Sequence, residues 1–224
     1  MRPLADLCGF ETADYLSLAE LAGRGGVPEA GRLIARADRM SVPPVWICWS
    51  AGALLALEAA GRGGRLSGLV LLSGTPRFCA ASDWPHGVPV SRVRALRTAL
   101  RDLRGSAAKA AFQKQCAFPN AVGEDELRIR VEDMDREGTE ALDGGLEYLS
   151  GADARKTLDR IRVPVLLLHG AEDRVIPAAA SEWLVSRIPN AALRIFEAKG
   201  HRLPLDTTVP VAGAILEFFE GLRP

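Results

Sequence analysis

The sequence predicts an α/β fold in which helices cover both faces of a parallel sheet. Short, nearly continuous apolar runs end in glycine or other small residues, and longer segments of helical periodicity follow them. Such apolar runs are typical of parallel strands that are buried on both faces. The alternation of strands and helices predicts right-handed crossover connections between neighbouring strands.

Four segments carry the strand pattern and three carry the helix pattern. The predicted strands are residues 45–48, 69–72, 165–168 and 193–196. The predicted crossover helices are residues 51–60, 178–188 and 209–222. Residues 85–159 break this alternation, because they contain helical patterns and no strand candidate. We therefore expect a helical lid at 85–159, inserted between the core segments 1–84 and 160–224.

The composition is that of an ordinary globular protein with one domain. The chain has 224 residues, of which 48% are apolar and 25% charged, and its net charge is zero. This length excludes a small disulfide-stapled scaffold, and the charge balance gives no global attraction to nucleic acid or to an anionic membrane. No apolar run approaches the ~20 residues of a membrane span, and Asp6 interrupts any signal-peptide core, so a cytoplasmic protein is expected.

The four cysteines are far apart in the sequence. Cys8, Cys48, Cys79 and Cys116 form no CxxC pair and have no histidine at metal-ligand spacing. Neither a disulfide framework nor a zinc site is expected, and cysteines of this kind are usually buried thiols. No metal site is predicted.

The pentapeptide Cys48-Trp49-Ser50-Ala51-Gly52 has the context of a nucleophile elbow. It joins an apolar predicted strand to a helix rich in alanine and leucine. In such an elbow a serine occupies a strained strand-to-helix turn and needs small residues two positions to either side. Gly52 meets that need, whereas Cys48 stands where the motif has glycine. The alternative is that Ser50 only caps the following helix.

Two further polar residues, Asp173 and His201, each follow a predicted strand. The carboxyl ends of parallel strands meet at one edge, where open α/β sheets assemble their sites. Asp173 could instead be a turn residue, and Glu172 and Asp206 are competing carboxylates. The remaining histidines are His169, expected to be structural at a strand end, and His86, in a loop before the lid helices.

The three candidate residues occur in the order Ser, Asp, His, which is the chain order of the α/β-hydrolases. We expect Ser50 to attack a carbonyl carbon and His201 to accept its proton and pass it to the leaving group. Asp173 is expected to orient the imidazole and stabilise its charged form. The amide of Ala51, at the start of the helix, is expected to donate a hydrogen bond to the oxyanion.

Several segments together resemble one hydrolase family. They are Trp49-Ser50-Ala51-Gly52, Ser73-Gly74-Thr75-Pro76-Arg77-Phe78 with Asp83-Trp84-Pro85, Gly144-Gly145-Leu146-Glu147-Tyr148-Leu149 with Asp153, Arg155 and Leu158, and the arm 169–201. This set resembles the pimeloyl-acyl-carrier-protein methyl ester carboxylesterases of biotin synthesis, from about Asp6 to the C-terminus. The resemblance implies an α/β-hydrolase fold and hydrolysis of the methyl ester of a pimeloyl chain bound to acyl carrier protein. It implies no metal and no organic cofactor, and we expect a monomer.

The charges of the predicted lid are segregated. Residues 92–114 contain seven basic residues against one aspartate, and residues 124–147 contain ten acidic residues against three arginines. Charge runs of this kind are usually solvated helix faces, here faces that pair with each other. The resemblance implies instead that basic lid residues hold the acidic carrier protein, and the candidates are Arg97, Arg101, Arg104 and Lys109. It also makes Trp49 and Phe112 candidates for contact with the acyl chain.

The front of the chain departs from the family pattern. Family members carry a His-Gly-Trp-type loop that supplies a second oxyanion donor, and no such motif precedes Ser50. Residues 4–10 look like the strand and turn that follow that loop. We therefore expect either a longer protein or a shortened relative, with no second donor assigned. Loss of one oxyanion donor typically lowers the rate ~100- to 1,000-fold, so weak activity is expected.

Two other functions fit the same residues. One is a general short-chain esterase or thioesterase, because the catalytic residues perform the chemistry and the lid sets the substrate. The other is a catalytically weak module that binds acyl carrier protein, which the basic lid and the missing loop would also explain.

Overall fold

A parallel sheet of four strands forms the centre of the protein. The computed structural model describes residues 2–8, 16–17, 19–23, 27–101 and 105–222. Its strands are β1 (Val45–Trp49), β2 (Gly68–Leu72), β3 (Val165–Gly170) and β4 (Ala191–Phe196). They pair in the order β1-β2-β3-β4, so that their carboxyl ends lie at the same edge. All four predicted strands are confirmed.

Ten α-helices are found in the described residues. They are α1 (Arg2–Leu7), α2 (Ala30–Ala37), α3 (Ala51–Gly61), α4 (Val90–Arg101), α5 (Gly105–Ala117), α6 (Glu124–Glu137), α7 (Thr139–Gly151), α8 (Ala179–Val185), α9 (Leu203–Asp206) and α10 (Thr208–Gly221). The three predicted crossover helices correspond to α3, α8 and α10. The helix α8 ends at Val185, earlier than predicted, and the chain turns ahead of Pro189, which disfavours helical backbone before it.

Side chains of the two central strands alternate between two buried clusters. Leu69, Leu71, Val165 and Leu167 pack on the face covered by α3. Val70, Leu72, Leu166 and Leu168 pack on the face covered by α1 and α10. Each buried aliphatic side chain stabilises the fold by about 1.5–3 kcal/mol. The apolar runs are therefore continuous because both faces of these strands are buried.

The amino-terminal segment is helical, so the prediction of a strand and turn over residues 4–10 was wrong where it can be compared. Residues 2–7 form α1, and residues 9–10 lie outside the described part of the chain. Leu4 and Cys8 are four residues apart and both are buried against α10. That spacing places them on one helical face, which packing against α10 selects over an extended backbone.

The four cysteines are free thiols. Cys8, Cys79 and Cys116 are buried as predicted, and Cys48 is half-buried. Within the described ranges, no helix combines the length and the apolar character that crossing a membrane requires.

Four helices, α4 to α7, lie between β2 and β3, and an ion-pair cluster joins the two ends of this helical segment. Arg77 donates to Asp153 Oδ2 at 2.8 Å, and Arg155 Nη2 donates to Asp153 and Asp83 at 2.7 and 3.0 Å. The Arg155 guanidinium also lies 5.6 Å from the centre of the Trp84 ring. Arg77 and Asp83 precede α4, whereas Asp153 and Arg155 follow α7, so the ion pairs close the base of the segment.

We predict that Asp153→Asn destabilises the protein at neutral pH. Burial opposes ionisation of Asp153, but hydrogen bonds from Arg155 and Arg77 outweigh it and lower the pKa of the carboxyl to about 2. Because this value lies below that of an unfolded aspartate, the stabilisation is present above about pH 4 and is lost towards pH 2. In chemical unfolding, the free energy of unfolding of Asp153→Asn should be about 2 kcal/mol below the wild-type value at pH 7. The difference should be smaller at pH 3.

The matched control is Asp159→Asn, at an exposed position on the 3₁₀ turn Arg155–Arg160. Its free energy of unfolding should stay within about 0.5 kcal/mol of the wild-type value. Equal losses in the two variants, or a deficit in Asp153→Asn that does not change with pH, would contradict the prediction.

Candidate active site

Ser50 occupies a sharp turn between β1 and α3. Its backbone has φ 55° and ψ −122°, a left-handed φ that costs free energy for a residue other than glycine. The side chain makes no capping bond to α3, so the alternative role of Ser50 as a helix cap is not observed. Ser50 Oγ lies 2.8 Å from His201 Nε2 instead.

His201 lies in the loop between β4 and α9 and is almost completely buried. Its Nδ1 is 2.8 Å from Asp173 Oδ2. An ionised carboxylate can only accept, so Nδ1 donates to it and Nε2 is left to accept the Ser50 hydroxyl proton. The backbone carbonyl of His201 accepts hydrogen bonds from Trp49 Nε1 at 2.8 Å and from Ser73 Oγ at 3.2 Å. The fold therefore holds both the ring and the backbone of this histidine.

Asp173 is the carboxylate that accepts the hydrogen bond from His201, and its side chain is completely buried. The amides of Val175 and Ile176 donate to Oδ1 at 2.8 and 2.9 Å. Burial alone would raise the pKa of Asp173, but the charge of His201 and hydrogen bonds from His169 and His201 hold that pKa well below its usual range. The group is therefore a carboxylate at neutral pH.

The competing residues lie elsewhere. Glu172 is exposed, and Asp206 Oδ1 accepts a hydrogen bond from Arg202 Nη2 at 2.6 Å. His86 packs edge-on against Trp84, with the ring centres 5.1 Å apart. The structure thus brings together Ser50, Asp173 and His201 and leaves the other candidates outside.

A cavity of about 580 Å³ lies beside this hydrogen-bonded chain. Ser50, Ala51 and His201 line it, together with the two predicted substrate contacts Trp49 and Phe112. Apolar side chains of β1, α2 and α3 form much of the remaining wall, and the helical segment adds Cys116 and Met134 together with the polar side chains of Gln113, Arg130, Asp133 and Glu137. Among the described residues, no group of three or more His, Cys, Asp or Glu side chains could hold a metal ion.

The profile of the alpha/beta hydrolase family matches residues 5–214. The chain belongs to the alpha/beta hydrolase family. The predicted α/β-hydrolase fold is therefore confirmed.

Two curated relatives carry a more specific name. The pimeloyl-[acyl-carrier protein] methyl ester esterase of Aromatoleum aromaticum is 33% identical over 199 residues, which cover 81% of this chain and 78% of the relative. The protein of the same name from Xanthomonas oryzae pv. oryzae is 32% identical over 213 residues, which cover 91% of this chain and 83% of that relative.

Two solved structures share the fold. An esterase from Exiguobacterium antarcticum superposes with a TM-score of 0.75 at 21% identity, covering 85% of this chain and 70% of that one. A bromoperoxidase from Bacillus anthracis superposes with a TM-score of 0.78 at 17% identity. The match covers 85% of this chain and 72% of the bromoperoxidase.

Cys48 and Gly52 lie two positions before and after Ser50, where a nucleophile elbow is expected to need small residues. The structure does not show that need at either position. A Cβ added to Gly52 would meet no atom within 4 Å among the described residues, so space alone does not require glycine there. Burial raises the pKa of the Cys48 thiol to about 12, so this side chain is uncharged in the hydrolase. The turn therefore accepts a cysteine where the family motif has glycine.

Arg202, which follows the histidine, was missed by the sequence analysis. Its buried Nη2 donates to Asp206 at 2.6 Å and contacts Glu126 of α6 at 2.9 Å. The i, i+4 spacing from Arg202 to Asp206 is the one signal that could have suggested a pair. The contact with Glu126 joins the helical segment to the loop that carries His201.

Two of the predicted docking residues form ion pairs inside the helical segment. Arg97 donates to Asp143 at 2.8 and 3.0 Å and also contacts Glu147. Lys109 is buried and contacts Asp135 of α6. The charge pattern left open the alternative that the basic and acidic helix faces pair with each other. At Arg97 and Lys109 the structure shows this pairing. The side chain of Arg101, and the whole of Arg104, lie outside the described residues.

We predict that Gly200→Ala disturbs the His201 loop and destabilises the protein. A Cβ at position 200 would overlap the carbonyl oxygen of Phe118, which is backbone and cannot rotate away. Thermal unfolding should show a Tm lowered by about 4–8 °C, which corresponds to about 2 kcal/mol for a chain of this size.

Gly145→Ala is the matched control, because a Cβ on this glycine of α7 meets nothing within 4 Å. Alanine should leave the Tm unchanged or raise it slightly, since it favours helix over glycine. A Gly200→Ala protein as stable as this control would show that the loop can move aside.

Proposed function

We propose that this chain is a serine carboxylesterase that hydrolyses the methyl ester of pimeloyl-acyl-carrier protein. The observation that carries the proposal is the hydrogen-bonded chain from Ser50 through His201 to Asp173 on the wall of a mostly apolar cavity. The relatives named pimeloyl-[acyl-carrier protein] methyl ester esterase support the choice of substrate.

In the proposed reaction, Ser50 Oγ attacks the ester carbonyl carbon while its proton moves to His201 Nε2. The 2.8 Å separation of these atoms suits direct proton transfer. The resulting imidazolium is stabilised by the buried Asp173 carboxylate. His201 then gives the proton to the methoxy oxygen, so methanol leaves and an ester between Ser50 and the acyl chain remains.

Water completes the cycle by the same route. His201 accepts a proton from water, the hydroxide attacks the acyl carbon, and the proton returns to Ser50 Oγ as the carboxylic acid leaves. The Ala51 amide, at the start of α3, is the proposed donor to the oxyanion in both steps. The apolar walls, with Trp49 and Phe112 among them, are the proposed surface for the methylene chain.

The proposed carrier-docking surface shifts to two exposed arginines near the start of α4. Arg92 and Arg94 are exposed on either side of the buried Val93, and within the described part of the chain no ion pair joins either of them to a carboxylate. Arg97 and Lys109 already have carboxylate partners, so they are less available to an acidic protein. Unpaired surface arginines can steer an acidic partner at little desolvation cost.

We predict that a fluorophosphonate labels the chain at Ser50. The basic Nε2 of His201 should activate the hydroxyl, so His201→Ala should abolish labelling, and peptide mass mapping locates the label. Ser50→Ala should lower kcat for methyl ester hydrolysis by more than about a thousandfold. Label on another residue, or label that persists in His201→Ala, would sink the proposed mechanism. A chain that stays unlabelled but binds carrier protein would support the non-catalytic alternative.

We also predict that Arg92→Glu combined with Arg94→Glu raises KM for the carrier-bound methyl ester about tenfold at low salt. The reversed charges should repel an acidic carrier, and added salt should narrow the difference. Hydrolysis of a free methyl ester measures the same active site without docking and should change less than twofold.

The control carries Arg39→Glu and Arg62→Glu, an equal change of charge at exposed positions outside the helical segment. Its KM for the carrier-bound ester should stay near the wild-type value. Equal KM values for the two double variants would rule out docking through α4.

A further inference from the structure

His169 lies one residue before the end of β3 and is completely buried. From the sequence, we expect a structural residue at this strand end. Its Nε2 lies 3.2 Å from Asp173 Oδ2, the oxygen that also accepts the hydrogen bond from His201 Nδ1. Two buried imidazoles therefore meet at one carboxylate oxygen.

The surroundings of His169 define its tautomer. Nε2 is 2.9 Å from the backbone carbonyl oxygen of Ile176, which can only accept, so Nε2 carries a proton. Nδ1 is 2.6 Å from Ser181 Oγ, and in the neutral ring it accepts the hydroxyl proton. Ser181 is itself completely buried. The hydroxyl of Ser181 thus keeps the N–H edge of the ring turned towards the Ile176 carbonyl and the adjacent Asp173 Oδ2.

The contacts of Asp173 leave its carboxylate no freedom to rotate. Two backbone amides hold Oδ1, and the two histidines flank Oδ2. A carboxylate in a dry environment depends on such donors both for its charge and for its direction. If the donor edge of His169 were absent, only His201 would hold Oδ2.

We propose that His169 is a positioning residue that acts through Asp173 on His201. It keeps Oδ2 aligned with Nδ1 of His201 and supports the carboxylate charge while the imidazolium forms. The inference rests on the proposed function, because positioning matters only if His201 transfers a proton. A sequence of polar contacts then runs through five side chains: three hydrogen bonds, and the 3.2 Å contact between His169 Nε2 and Asp173 Oδ2, connect Ser50, His201, Asp173, His169 and Ser181.

The test compares His169→Leu with His169→Gln. Leucine removes the donor, whereas the glutamine amide can place an N–H near the position of Nε2. We expect His169→Leu to lower kcat for a free methyl ester about 10- to 100-fold with KM within about twofold, because misalignment of a catalytic group affects the chemical step. His169→Gln should retain kcat within about fivefold. Ser181→Ala, which releases Nδ1, should lower kcat about threefold to tenfold even if His169→Leu fails to fold.

The control is Ser186→Ala, at an exposed serine just after α8 whose Oγ donates only to the Trp183 carbonyl. Its kcat should equal that of the wild type. Equal losses in the leucine and glutamine variants, or a folded leucine variant with unchanged kcat, would show that His169 only fills space and would overturn the proposal.

A second readout separates this proposal from the proposed function. In Ser50→Ala protein, the His201 Nδ1 proton can be followed by NMR, and its resonance should move in His169→Leu and stay close to its original position in His169→Gln. Absence of fluorophosphonate label in the wild type would defeat the proposed function, whereas the resonance reports separately whether His169 positions Asp173. An Nδ1 resonance that is the same in all three proteins would defeat the role of His169.

Discussion

The carboxylate of Asp173 is completely buried, and an ionised group that water cannot reach must receive its hydrogen bonds from the protein. The fold supplies them from three places: the turn after β3, the end of β3 itself and the loop after β4. Because one small group accepts from all three, their relative positions are tightly restricted. The geometry proposed for catalysis at Ser50 depends on this restriction, since His201 reaches the serine only while Asp173 holds the other side of its ring.

The sheet and its helices stabilise the strained turn that completes the arrangement. A left-handed backbone at a serine costs on the order of 1–3 kcal/mol. The helix that follows buries Leu54, Leu55 and Leu57 completely, each contributing about 1.5–3 kcal/mol, so packing of α3 outweighs the strain at Ser50. Pairing of β1 with β2 anchors the other side of the turn. The reactive position is thus maintained by apolar burial on one side and backbone pairing on the other.

The helical segment connects to this site through charges. Arg97 and Lys109 join its basic helices to its acidic ones, so part of its charge is neutralised internally, whereas Arg92 and Arg94 of α4 are exposed. At the base of the segment, Asp153 forms ion pairs with Arg77 and Arg155. On the other side, Arg202 joins Glu126 of α6 to the residue next to His201. Arg202 therefore links α6 directly to the loop that carries His201.

The sequence by itself determined the strands, the crossover helices, the helical segment between β2 and β3, and the three residues that meet at the site, because apolar periodicity and chain order are local properties. It did not predict the helix α1, the partners of Arg97 and Lys109, the close approach at Gly200 or the place of His169 beside Asp173. Arg97 and Asp143 are 46 positions apart, and Trp49 and His201 are 152 apart. Only the tertiary structure decided these contacts, because a side chain's partner depends on how distant segments pack together, and neighbouring residues in the chain carry no record of that packing.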